Sequence, residues 1–144
     1  MFRPMSLLLL PVVAAALLAS ACGSSSTPSA PTTTPTQLTD TFSDTLTVNG
    51  GVTFPFGVQQ TGTITATLTA LAPDPSVTVG LLLGTWNGAA CSISAGSSGI
   101  INDAAVLNTS ITGSATGTGN FCVRVYDVGK LTAPTTFTVS IVHF

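Results

Sequence analysis

The chain has 144 residues, of which only 6% are charged: three Lys and Arg, five acids and one His. The five acids are all Asp, at positions 40, 44, 74, 103 and 127. So few cations exclude a basic face for nucleic acid, and so few carboxylates and imidazoles leave most acid–base and metal chemistry without its side chains. No cofactor is expected, and the length suits one domain. The mean hydropathy of +0.59 reflects scarce charge and an apolar N-terminus, with Thr and Ser carrying most of the polarity.

Residues 1–21 have the parts of a secretory signal. Arg3 supplies the positive start and Leu7 to Leu18 an apolar run. That run is too short for a spanning helix, which needs ~20 residues. It ends in Leu18-Ala19-Ser20-Ala21-Cys22, small residues before a Cys, which resembles the cleavage box of bacterial lipoproteins. The resemblance implies cleavage before Cys22 and lipidation of its thiol, so that a membrane becomes a partner. The alternative is an ordinary signal cut near Ala21 that leaves Cys22 free. Loss of Arg3 would leave Arg124 and Lys130 as the cations of the mature chain, against five Asp.

Residues 22–39 are rich in Ser, Thr and Pro. Nothing there can be buried, so the segment reads as an extended tether that would hold a domain some tens of Å from a lipid surface at ~3 Å per residue. Gly23 follows Cys22. An Asp at that place resembles an inner-membrane retention signal, so the expected location is the cell envelope, the outer membrane in preference to the inner.

Residues 40–144 read as an all-β domain. Thr63 to Ala70 alternates without a break, with Ile64, Ala66, Leu68 and Ala70 on one face and Thr on the other. Phe121, Val123 and Val125 alternate with Cys122, Arg124 and Tyr126, and Phe137, Val139 and Ile141 with Thr138 and Ser140. Further strands are expected at 41–48, 52–58, 76–86, 89–95 and 105–112. About eight short alternating strands with turns between them predict an antiparallel β-sandwich. Asn87-Gly88 predicts a two-residue hairpin that pairs Trp86 with Ala89 and Gly84 with Cys91. At Asn49-Gly50-Gly51 a two-residue turn would put apolar residues on opposite faces. A three-residue loop with a Gly bulge is expected there, or strands that do not pair directly.

With Cys22 assigned to lipid, Cys91 and Cys122 remain as an even pair in an oxidising compartment. In the hairpin register Cys91 lies on the face of Gly84 and Trp86, away from the stripe Val77, Val79, Leu81 and Leu83. Cys122 lies away from the stripe Phe121, Val123 and Val125. Both therefore point outward, which predicts a disulfide between neighbouring strands on the outer face of one sheet.

The segments Gly119-Asn-Phe-Cys-Val-Arg-Val-Tyr-Asp-Val-Gly129 and Thr135-Thr-Phe-Thr-Val-Ser-Ile-Val-His143 resemble the end of bacterial pre-peptidase C-terminal (PPC) domains, and Gln60-Thr-Gly-Thr-Ile-Thr-Ala-Thr-Leu68 fits their glycine turn and third strand. The resemblance covers roughly 40–144. It implies a jelly-roll type of β-sandwich that is non-catalytic and in some members binds substrate or calcium. The chain departs from the family in carrying no peptidase. It also lacks the family's acids before the second strand's aromatic, since the segment reads Gly51-Val-Thr-Phe-Pro-Phe56, so calcium binding does not carry over.

His143 is the sole His and has no nucleophile-elbow motif beside it, so a strand-end His is expected rather than a triad member, and the chain is read as no enzyme; a hydrolase is the remote alternative. No metal site is assigned. Asp40 and Asp44 are spaced to share a loop with Asp127, but no Asp-x-Asp-x-Asp run is present. Asn108-Thr109-Ser110 matches a glycosylation sequon by chance. The candidate ligand-binding residues are Trp86, Tyr126 and Arg124, expected on one outer face with the cystine, where Gly80 and Gly84 flatten the sheet. An aromatic on a flat sheet stacks on sugar rings or anchors a protein partner. The opposing expectation is that Trp86 covers neighbouring glycines or the disulfide. The expected function is a lipid-anchored envelope protein presenting a non-catalytic binding or adhesion module for a glycan or protein. The alternative is a structural or accessory envelope lipoprotein that binds another envelope component.

Overall fold

The computed structural model describes residues 34–93 and 100–144. The expected signal segment, Cys22 and the expected tether up to residue 33 lie outside the described residues. The strands are β1 (Leu38–Leu46), β2 (Gly51–Val58), β3 (Gly62–Ala72), β4 (Val79–Trp86), β5 (Cys91–Ser92), β6 (Ile100–Ala105), β7 (Ser110–Ala115), β8 (Gly119–Tyr126) and β9 (Thr135–His143). The first strand takes in Leu38 and Thr39, which composition alone places at the end of the tether.

All strand pairs are antiparallel. One sheet has the order β1-β9-β3-β7, and the other β2-β8-β4 followed by β5 and β6 along the same edge of β4. β5 pairs with Thr85 and Trp86, and β6 with Val79 to Leu83. The two are pieces of one edge strand, interrupted opposite Gly84. Counted together they give eight strands, and the chain alternates between sheets in jelly-roll order. The expected jelly-roll sandwich of about eight strands is what the chain forms.

Two local expectations need correction, and a third is settled between its alternatives. The stretch expected as one strand over 105–112 is two strands with a turn between them. Asn108 there takes φ 69°, a left-handed conformation Asn tolerates better than most residues. The Thr109 hydroxyl accepts from the Val106 amide at 2.9 Å, and the Asn108 amide donates to Leu68 at 2.8 Å. That anchorage coincides with a register shift between Leu68 and Ala70 on β3. The shift turns Leu71 inward and leaves Ala70, expected inside, exposed. Finally, β1 and β2 do not pair, the second of the two expectations at Asn49-Gly50-Gly51; they enter different sheets through a corner where Asn49 takes φ 56°.

The core lies between the sheets. Val79, Leu81, Leu83, Val123 and Val125 from one face Leu46, Ile64, Ala66, Leu68, Phe137, Val139 and Ile141 from the other. Aromatic rings bridge the layers: Phe42 stacks on Phe54 at 4.8 Å, and Phe54 meets Phe137 edge-on at 6.1 Å.

The two outer faces differ in chemistry. On the β1-β9-β3-β7 sheet the outward residues are Thr or Ser at almost every position, from Thr39, Thr41, Ser43 and Thr45 on β1 to Ser110, Thr112 and Ser114 on β7. Their hydroxyls pair across strands: Ser43 with Thr138 at 2.8 Å and Thr67 with Ser110 at 2.7 Å. Cross-strand pairs of this kind stabilise a sheet without charge. The opposite face carries Trp86, Arg124, Tyr126 and the cystine.

Candidate functional site

Strand register sets the outer face of the second sheet as rows running across the strands. The first row is Gly51, Tyr126, Gly80 and Asp103; the next holds Thr53, Arg124, Leu82 and Ile101; the third holds Pro55, Cys122 and Gly84. Trp86 lies one step further along β4, opposite Cys91 on β5. Trp86 and Tyr126, expected in one patch, thus stand at opposite ends of the face, about 20 Å apart at ~3.3 Å per residue along β4. The structure brings Arg124 and Tyr126 together, with the guanidinium 6.0 Å from the ring centroid, and leaves Trp86 apart beyond the disulfide.

The disulfide joins Cys91 and Cys122 as expected, but between strands that are not neighbours, because β4 lies between β8 and β5. The Cα atoms are nevertheless 5.7 Å apart. Gly84 permits this, since a Cβ there would stand 2.6 Å from the carbonyl oxygen of Ser92. The start of β5 curls over the bare strand and the cystine closes it down. Cys122, expected to point out to solvent, does lie on the outer side but is completely covered.

The hairpin before β5 is longer than Asn87-Gly88 alone predicts. Trp86 pairs with Cys91 rather than Ala89. The Asn87 side-chain oxygen accepts from the amides of Ala89 and Ala90 at 2.9 and 2.8 Å, which makes residues 87–90 the loop. The error is two residues, so every side chain keeps its face. Trp86 is half-buried against an open groove of about 590 Å³ lined by Pro55, Phe56, Gly57, Asn87, Gly88 and Asn120. None of these residues is charged.

At the other end, the Tyr126 ring lies flat over Gly80: a Cβ on that glycine would come within 2.2 Å of the ring. The Tyr126 hydroxyl donates to Asp103 on β6. Burial of the phenol, with the Asp103 hydrogen bond and charge, pushes its pKa up to about 12. Asp103 and the glycine at position 51 are site residues that sequence reasoning missed. The pairing of β6 with β4 leaves no local mark in the sequence, because IINDAA over Ile100–Ala105 has no plain apolar alternation.

His143 is buried at the end of β9, where Phe56 packs 5.3 Å from its ring. Its Nε2 lies 3.1 Å from Asp40 and its Nδ1 3.4 Å from the Phe144 carbonyl. Both ring nitrogens thus have partners, and neither is a Ser. Asp127 does not share a loop with Asp40 or Asp44. Its carboxylate accepts from the amides of Asn49, Gly129, Lys130 and Leu131, which holds its pKa below the usual carboxylate value. Among the described residues no His, Cys and Asp groups gather to hold a metal ion, and no helix is long and apolar enough to cross a membrane. No protein-family model matches the chain, and a search of curated proteins finds no match either.

Proposed function

We propose that this chain is a lipid-anchored envelope protein whose sandwich binds a neutral glycan without catalysing its breakdown. Cys22 carries the lipid, the Ser/Thr/Pro segment is the spacer, and the outer membrane is the more suitable of two bacterial membranes. The observation that carries the binding part is the Trp86 groove. A half-buried indole beside an open cleft with uncharged walls offers a stacking surface to the apolar face of a sugar, with side-chain amides of Asn87 and Asn120 for its hydroxyls. The Asn87 oxygen is taken by its own turn, which leaves the amide nitrogen unused by the loop. An uncharged groove on a chain with so few charges suits an uncharged ligand. The PPC-like segments favour a non-catalytic role, and the occupied, buried ring of His143 gives a Ser triad nothing to build on.

A second reading, a protein component of the envelope as partner, draws on Ile101. It is 49% exposed beside Leu82 and Arg124, an apolar residue with a cation beside it, as protein interfaces prefer. A polysaccharide array that includes cell-wall glycans separates the readings. The intact chain is expected to bind a wall glycan, and Trp86→Ala to lose that binding with its melting temperature unchanged. A blank array alongside a specific crosslinked protein would favour the second reading.

A further inference from the structure

We infer that Arg124, Tyr126 and Asp103 form a second sugar subsite, one that takes a single pyranose residue at the end of the sandwich remote from the chain's entry. The inference rests on the glycan reading above but not on the Trp86 groove. Three observations carry it. The first is a line of side chains lying flush on the sheet. The Arg124 guanidinium rests over Gly51 of β2, where a Cβ would stand 2.8 Å from its Nη2. The Tyr126 ring rests over Gly80 of β4, and the Asp103 carboxylate follows on β6. Two glycines clear the surface so that both long side chains lie down along it.

The second observation is the chemistry of that line. Its middle is a flat π-face, its one end offers only donors, and its other end is a carboxylate acceptor. A pyranose stacks its C–H face on an aromatic ring and has hydroxyls around its rim that both accept and donate. Those hydroxyls can accept from Arg124 and donate to Asp103 at once, which neither a simple anion nor a simple cation can do. Among the described residues the guanidinium forms no ion pair, and it stands 6.0 Å from the centroid of the Tyr126 ring. The hydrogen bond to Asp103 holds the ring in its stacking pose, and the phenol stays protonated throughout the physiological range.

The third observation is space and position. Leu82, Arg124 and Tyr126 line an open depression of about 250 Å³. It lies at the end where Gly51 pairs with Tyr126, whereas the chain enters at the other end, where Leu38 pairs with His143 and the Gln59 amide bonds Phe144.

The test uses the intact chain carrying Trp86→Phe, in which Tyr126 is the only Tyr and no Trp remains. Chitotetraose, cellotetraose and xylotetraose are titrated while the near-ultraviolet difference spectrum of Tyr126 is followed. At least one is expected to give a saturable shift. Adding Arg124→Gln or Asp103→Asn should weaken that sugar roughly tenfold each, as expected for one charge-assisted hydrogen bond. A saturable shift that both variants leave intact would overturn the subsite, as would silence of Tyr126 towards all three sugars. If the same sugars change Trp86 emission in the unmodified chain while Tyr126 stays silent, the subsite falls and the glycan reading stands. If neither reporter responds and the array is blank, both fall.

Discussion

Tyr126 is held by what its neighbours lack. Gly80 has no side chain to displace the ring, and the hydroxyl reaches across β4 to Asp103. Desolvation first, then the Asp103 hydrogen bond and charge, keep the phenol protonated, with a pKa of about 12. The folded pKa is thus above the ordinary value of about 10, so the fold favours the neutral phenol. That contribution is complete below pH 10 and is lost as pH rises through 12. Because the chain has one Tyr, absorbance titration reads the group directly. A midpoint near 12 is expected in the wild type, and one closer to 10 in Asp103→Ala; a wild-type midpoint at the ordinary value would show that the contact does not form in solution. Two of the glycines under the outer face, Gly80 and Gly84, should also differ. A methyl at Gly80 meets the tip of a side chain that can swing away, whereas one at Gly84 meets the backbone of Ser92. Gly84→Ala should therefore cost about 1–3 kcal/mol in urea unfolding, the range for overpacking. Gly80→Ala should cost less and lower the Tyr126 pKa as the ring leaves Asp103.

The interrupted edge strand shows what could and could not be read from the chain. Alternation identified the inward stripes of β3, β4, β8 and β9, because burial on one face of a strand imposes a period of two whatever the partner. The same alternation puts Trp86, Tyr126, Arg124 and both cysteines on one face whatever the strand order. Order itself was not legible, since pairing between distant segments leaves no local mark. The expected bridge therefore joins neighbours, and β6 escapes the sequence pattern because Asn102 stands between Ile100 and Ala105 where a plain inward stripe would have an apolar residue. Asn108 matches a sequon in the sequence, whereas in the fold it is a turn residue at positive φ. At this scale the disulfide is the main staple: it closes a separation of 31 residues and holds β5 over Gly84. Replacing both cysteines with Ala should lower stability by about 3–4 kcal/mol in the chain-entropy view, measured by urea unfolding. A loss below 1 kcal/mol would mean that β5 stays folded over β4 unaided.

Across the whole molecule, the scarcity of charge sorts by surface. One sheet is covered by paired Thr and Ser hydroxyls, and the other holds the chain's sole Trp, its sole Tyr, Arg124 and the cystine. Eight short strands bury an aliphatic and aromatic core between them, so the polar exterior needs no ion pairs to keep the fold together; the one contact of a basic side chain with an Asp among the described residues is that of His143 with Asp40. On the proposal above, such a surface meets a neutral glycan through ring faces and hydrogen bonds matched to its hydroxyls. The measurement that bears on this most directly is binding of the intact chain and its Trp86→Ala variant to an array of wall polysaccharides, with melting temperatures taken alongside. The account predicts that the intact chain binds a neutral glycan and that the variant loses it while melting at the same temperature. Undiminished binding by Trp86→Ala, or a loss that only follows a lower melting temperature, would contradict it.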